Sequence, residues 1–282
     1  MVDSDTIAFM TRNEADMAFK RRVKTIFDFV EPDDGMRILD LPCGRGFYLN
    51  MFRHVCGCEL VGADLEWSVV ETAGRALKQL AGIHVQQASV YAMPYPGGCF
   101  DAVILSEVLE HIDDDIRGLR EAFRVLKPGG VLAVTVPNAN YPFLWDPINK
   151  LLERAFNRHI QRGPLAGIWA NHVRLYTPIQ LRRAVSSAGF YIEEERSLTH
   201  HCFPFIHNLV YGLGKPLLEA NVLPGSMRSV ADRHDFETCG GRLNPVRLGV
   251  ALFNLFDSKN SLDEGAGRST VNLAIKGRKP DA

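Results

Sequence analysis

Apolar residues in the first half of the chain fall into short unbroken runs, separated by stretches in which they recur every three or four positions. In 15–30, Ala15, Ala18, Phe19, Val23, Ile26, Phe27 and Val30 share a helical face, with Lys20, Arg21, Arg22 and Lys24 mostly opposite. Buried strands are expected at 36–41, 59–64, 83–86, 100–105 and 131–136, with helices at 47–55, 69–80 and 113–126 between them. Strand and helix alternate throughout, which predicts a parallel sheet covered on both faces. The spacing further predicts helices over 147–160 and 177–188, a strand over 190–196 and a last strand over 270–276. About 70 residues separate those two strands, too many for a bare loop. This segment carries two apolar clusters, 202–218 and 246–256. Leu248, Leu252 and Leu255 or Phe256 share a face expected to be buried, as the wall of a greasy pocket, a membrane contact or a cap on the sheet.

Composition narrows the class without naming a function. The 282 residues are 46% hydrophobic and 23% charged with net charge −1, ordinary for a globular protein and without the basic balance of a nucleic-acid binder. Six cysteines lack a CxxC pair or a disulfide-scaffold spacing, so reduced thiols are expected. The acidic start Met1-Val2-Asp3-Ser4-Asp5-Thr6 does not look like a secretory signal, and no apolar run reaches the roughly 18 residues of a membrane span. The expectation is a cytoplasmic protein, at most peripheral to a membrane.

The chemistry concentrates where strands end. Asp40-Leu41-Pro42-Cys43-Gly44-Arg45-Gly46 joins the first strand to its helix, as a nucleotide-type ligand loop does. Glycine lets a ligand approach the main chain, whereas Pro42 offers no N–H, so close approach is expected at Gly44 and Gly46. Asp64 ends the second strand 18 residues after Gly46 (64 − 46), where a ribose-binding carboxylate falls in doubly wound sheets. The fourth strand runs into Ser106-Glu107-Val108-Leu109-Glu110-His111-Ile112, and the following helix stops at Lys127-Pro128-Gly129-Gly130. Asn171-His172-Val173-Arg174-Leu175-Tyr176-Thr177-Pro178 puts two cationic side chains on alternate positions before a capped helix.

Taken in order, these blocks resemble the class I S-adenosylmethionine-dependent methyltransferases, in particular the small-molecule type that includes the quinone-biosynthesis O-methyltransferases. The resemblance runs from about residue 36 to 190 and resumes at the last strand. It implies an α/β fold: a doubly wound, mostly parallel seven-stranded sheet with helices on both faces and a largely helical insertion before the last strand. It implies S-adenosyl-L-methionine as cofactor. Asp40, Cys43, Gly44 and Gly46 would lie at its methionine end, Asp64 at the ribose hydroxyls, Leu65, Ser89 and Val90 at the adenine, and Ser106 and Glu107 beside them. Two positions depart from the family's pattern: Pro42 replaces a glycine, and Ser89 stands where an acidic residue is common. The units implied are 1–138 (cofactor half), 139–170 (lid-like insertion), 171–195 (helix and sixth strand), 196–268 (apolar helical insertion on the acceptor side) and 269–282 (last strand and tail).

The reaction expected is methyl transfer to an oxygen nucleophile of a small metabolite, a lipophilic one included, with His111 or His172 as base. Each histidine also has a purely structural reading, and Arg174 either binds an anionic acceptor group or anchors its segment. N- or C-methylation and a non-catalytic cofactor-binding or lipid-surface module remain alternatives. The missing third glycine disfavours a nicotinamide enzyme, and Ser106-Glu107-Val108-Leu109 is not the Pro-Pro-aromatic motif of nucleic-acid amino-methyltransferases. His200, His201, Cys202, His207, His234 and Cys239 match no compact metal-site spacing, so no metal is expected.

Overall fold

The computed structural model describes residues 4–214, 217, 220, 222–236, 238, 241, 243–265 and 267–281. Seven strands form one sheet: β1 (Arg37–Asp40), β2 (Glu59–Asp64), β3 (Ile83–Gln87), β4 (Phe100–Ser106), β5 (Leu126–Pro137), β6 (Tyr191–Leu198) and β7 (Asn272–Arg278), in the order β3-β2-β1-β4-β5-β7-β6. β1 to β5 pair in parallel; β7 runs antiparallel between β5 and β6. This is the doubly wound, mostly parallel architecture expected.

Strand residues feed two cores by strict alternation. Leu39, Val103, Leu105, Leu132 and Val134 pack with helices α5 (Asp115–Val125) and α7 (Pro178–Ser187) on one face. Ile38, Ala102, Ile104, Val131 and Ala133 pack with α2 (Met17–Val30), α3 (Phe47–Val55) and α4 (Trp67–Ala76) on the other. The Phe27 and Phe52 rings, from α2 and α3, stack 4.2 Å apart. Asp16 caps α2 by accepting from the Ala18 and Phe19 N–H groups. Thr177 and Gln180 form a complete capping box at α7. An additional short helix, α1 (Ser4–Met10), precedes α2.

A third core joins the two insertions. Tyr141, Trp145 and Ile168 pack with Met17, Cys202, Ile206 and Val271, and with Phe203, Phe253 and Phe256 around them. The π-helical segment Asn208–Gly214 joins it through Val210 and α9 (Pro245–Asp257) through Phe253 and Phe256, with the short α8 (Gly225–Val230) between them; α6 (Pro147–Phe156) starts two residues after Trp145.

Two expectations are corrected here. Leu248, Leu252 and Leu255 of α9 are exposed, not buried, while Val250, Phe253 and Phe256 turn inward. Polar ties to α2 set that rotation: Lys20 donates to Asn254, and Arg21 pairs with Asp257. The second concerns thiols: Cys56 and Cys58, at the end of α3 and the start of β2, are disulfide-bonded, while Cys43, Cys99 and Cys202 are free. The two cysteines lie two positions apart on the short connection between α3 and β2, their Cα atoms 5.3 Å apart, a local pairing that scaffold-type spacing does not encode.

Candidate functional site

The sheet order reverses between β1 and β4, so a crevice opens beyond their carboxyl ends. Both chemistry-bearing stretches leave the sheet there.

At the β1 exit the chain turns through Asp40 to Gly46, with a cis Leu41–Pro42 peptide. Gly44 has φ +53° and open space where a Cβ would stand, the condition for close ligand approach. Gly46 differs: at φ +81° it caps the start of α3, and a Cβ there would collide with Leu77 Cδ1. Its missing side chain is used in packing. Asp64 closes the loop from β2, accepting from the Gly44 N–H at 3.1 Å and the Glu66 N–H at 3.2 Å. Asp40 is fully buried and neither carboxylate oxygen has a hydrogen-bond partner; burial, then the nearby Asp64, pushes its carboxyl well above the ordinary range. A buried carboxylate without a donor suits a cationic ligand group. Cys43 is buried beside it, its thiol pushed up by burial, and so forms an unreactive wall. At the far end Leu65 is exposed and Val90 buried, and the Ser89 hydroxyl accepts from the Tyr91 N–H at 3.2 Å. These positions together fit an elongated nucleoside ligand with an ammonium at the Asp40 end.

At the β4 exit, Ser106 Oγ lies 2.9 Å from Thr135 Oγ1 and 3.3 Å from the Tyr48 hydroxyl. Glu107 takes the left-handed backbone conformation (φ +57°), pairs with Arg22, and accepts from Thr135 and Asn272. The 3-10 turn Leu109–His111 follows, carrying Glu110 inward. Glu110 is fully buried with both oxygens unpartnered; burial, then Glu107, raises its carboxyl well above the usual value. His111 Nε2 and His172 Nε2 lie 3.8 and 3.9 Å from Glu110 Oε1. The two imidazole rings meet edge to face at 4.6 Å. Burial, then His111, depresses His172 to about 3, so it is neutral at physiological pH. His111 Nδ1 donates to the Asn171 carbonyl at 3.1 Å, which turns its Nε2 toward Glu110.

One carboxylate oxygen and two ring nitrogens therefore lie within 4.8 Å of one another. That is too loose for direct hydrogen bonds and suits a bridging ion, since bonds of about 2.0–2.2 Å place ligand atoms roughly 3–4 Å apart. It is the one such group among the described residues. His200 and His201 are instead held by Asn260 and the Ser269 carbonyl, and Cys239 lies outside the described residues.

The segment carrying His172 is pinned against the β4 exit. The Val173 N–H donates to the Glu110 carbonyl at 2.8 Å, and the Tyr176 hydroxyl reaches Leu109 O and Asp115. Arg174 pairs with Asp115 and donates to the Asp113 carbonyl, so it anchors this segment. His111 and His172, which the sequence offered as alternative bases, are thus brought together. Glu110 was not singled out beforehand; the signal present was the Glu110-His111 dipeptide on the short stretch that follows β4.

A cavity of about 840 Å³ opens beside Pro42, Gly44 and Tyr48, walled by Glu14 and Phe19 on one side and Val250 and Phe253 on the other. A strap over 232–236 closes one flank. His234 Nε2 donates to the Arg45 carbonyl at 3.0 Å, Arg233 pairs with Glu14, and Phe236 packs edge-on against Phe47 and His54.

Residues 39–134 match the family model described as a methyltransferase domain. A ubiquinone/menaquinone biosynthesis C-methyltransferase of Pasteurella multocida is 35% identical over 122 residues, 42% of this chain and 44% of that protein. A ubiquinone biosynthesis O-methyltransferase of a Chelativorans species is 28% identical over 172 residues, 61% of this chain and 65% of that protein. The chain thus spans about half the length of the first curated relatives it matches. Among solved structures, the cyclase SpnF superposes with TM-score 0.58 at 19% identity, over 93% of this chain and 82% of that one. That likeness concerns the fold alone.

Proposed function

We propose that this chain, which carries a class I S-adenosylmethionine-dependent methyltransferase domain, moves the cofactor's methyl group to an oxygen nucleophile of a small, lipophilic metabolite. The cofactor supplies an electrophilic methyl; the protein aligns donor and acceptor for in-line displacement and excludes water. Asp40 is the counter-charge for the ammonium, Gly44 admits the ligand to the main chain, and Asp64 receives the ribose hydroxyls in exchange for part of its present backbone bonds.

One observation carries the acceptor side: Glu110 is buried with neither carboxylate oxygen hydrogen-bonded, and the Nε2 atoms of His111 and His172 lie 3.8 and 3.9 Å from its Oε1. A hydroxyl entering there meets groups able to take its proton. Glu110, His111 and His172 also fit a divalent cation, whose charge would stabilise the developing oxyanion. The apolar cavity walls, Phe19, Val250 and Phe253, support a lipophilic acceptor. A carbon acceptor is the competing reading, since a relative named as a C-methyltransferase is 35% identical over 122 residues.

The test is calorimetry with S-adenosylmethionine, then transfer from methyl-labelled cofactor to hydroxylated lipophilic compounds, with and without chelator. Binding and a labelled ether or ester are expected. Failure to bind the cofactor overturns the reading; label on carbon moves it to the competing reaction.

A further inference from the structure

The lid-like stretch 143–165 and the neighbouring π-helical segment leave large apolar side chains in water. Phe143, Leu144, Leu151, Phe156, Leu165, Phe205 and Leu209 are all exposed, Phe156 at 69% and Leu151 at 57%. The segments that carry them are tied together. The Phe205 N–H donates to the Leu144 carbonyl at 3.0 Å, Asn208 Nδ2 reaches the Pro164 carbonyl at 3.2 Å, and Asn149 of α6 bonds the Leu165 and Ala166 carbonyls. Isolated exposed apolar residues need no explanation, but seven of them on segments bound to one another mark an interaction surface.

Charge on this face has a single sign. Its two acids are turned inward: Asp146 is fully buried as the cap of α6, and Glu153 accepts from Trp169. Lys150 is held over the Tyr141 ring. What remains outward is Arg154, Arg158 and Arg162, all exposed, none with an ion-pair partner among the described residues. A protein of net charge −1 thus concentrates unpaired positive charge beside its exposed apolar side chains.

We propose that this face docks on an anionic phospholipid surface, with Leu151, Phe156 and their neighbours entering the headgroup boundary and the three arginines meeting lipid phosphates. That combination of apolar insertion and basic flank is what interfacial helices use, and no helix among the described residues is long and apolar enough to cross a membrane. The same stretch packs on the third core beside His172, so a docked protein would hold its acceptor side near the lipid. The proposal rests on exposure and charge, and stands or falls apart from the transfer reaction.

Co-sedimentation of the full chain with phosphatidylglycerol–phosphatidylcholine vesicles, against phosphatidylcholine alone, tests it. Binding to the anionic vesicles that weakens as salt rises is expected. Each arginine near such a surface contributes about fivefold in affinity, so Arg154→Gln/Arg158→Gln/Arg162→Gln should bind roughly a hundredfold more weakly. Leu151→Ser/Phe156→Ser should also lose binding at unchanged circular dichroism and cofactor affinity. No binding to anionic vesicles overturns the proposal, as does binding unaffected by both variants. Loss on Leu252→Ser/Leu255→Ser alone would move the contact to α9 and overturn it too. A concentration-dependent dimer abolished by Phe156→Ser, without vesicle binding, would assign the face to a second copy of the chain.

Discussion

Asp40 at the β1 exit and Glu110 beyond the β4 exit are both buried carboxylates without hydrogen-bond partners, yet they reach that state differently. Asp40 sits at the end of a strand whose own next six residues form the loop around it. Glu110 owes its setting to His172 and the Val173 N–H, which arrive from a distant segment pinned by Tyr176 and Arg174. An unpaired buried carboxylate costs stability in either place. On the proposed function each would face a ligand group: a cation at Asp40, and a proton or metal ion at Glu110.

The sharpest separation of the two should come from Glu110→Gln and His172→Ala. If they handle the acceptor proton, turnover falls by about 10²–10⁴ while S-adenosylmethionine affinity, read by calorimetry, stays within a few-fold. Equal losses in both quantities would merge the two sides into one.

Asp40→Asn should do the reverse, costing about 2–5 kcal/mol of cofactor binding through loss of a buried charge partner. It also has a pH signature. The folded carboxyl is raised above its ordinary value near 3.8, so the native state keeps a proton that the unfolded chain loses. Asp40's contribution is therefore complete below that ordinary value and is lost as pH rises through the folded one. Asp40→Asn should gain stability over the parent as pH rises, in denaturant titrations of the cofactor-free protein. Cofactor binding should release a proton, seen as buffer-dependent heat, and the variant should not show it.

Smaller effects distinguish the two loop glycines. Gly46→Ala forces a side chain into left-handed backbone and against Leu77, costing about 1–3 kcal/mol of stability. Gly44→Ala shares the backbone strain but meets no packed neighbour, so its added cost should appear in cofactor affinity. Smallest of all, His234→Ala removes the strap's bond to the Arg45 carbonyl, about 0.5–1.5 kcal/mol, and should raise hydrogen exchange in 232–236 before it alters the crevice.

Sequence alone determined the sheet, because its determinants are local. The runs at 59–64 and 100–105 are apolar on both faces, and the helices between them carry single apolar stripes, as a doubly wound sheet requires. Asp40, Asp64 and Ser106 could be located because each ends a strand, and Gly44 and Glu107 because they follow one closely. Tertiary structure decided the rest. The rotation of α9 followed from Lys20 and Arg21 on another helix, against its own apolar pattern. The different tasks of Gly44 and Gly46 depended on whether Leu77 filled the space. Glu110 became conspicuous only when the fold buried it opposite two histidines. Burial and the absence of a partner are properties of the surroundings, and a residue's surroundings at long sequence separation are set by packing.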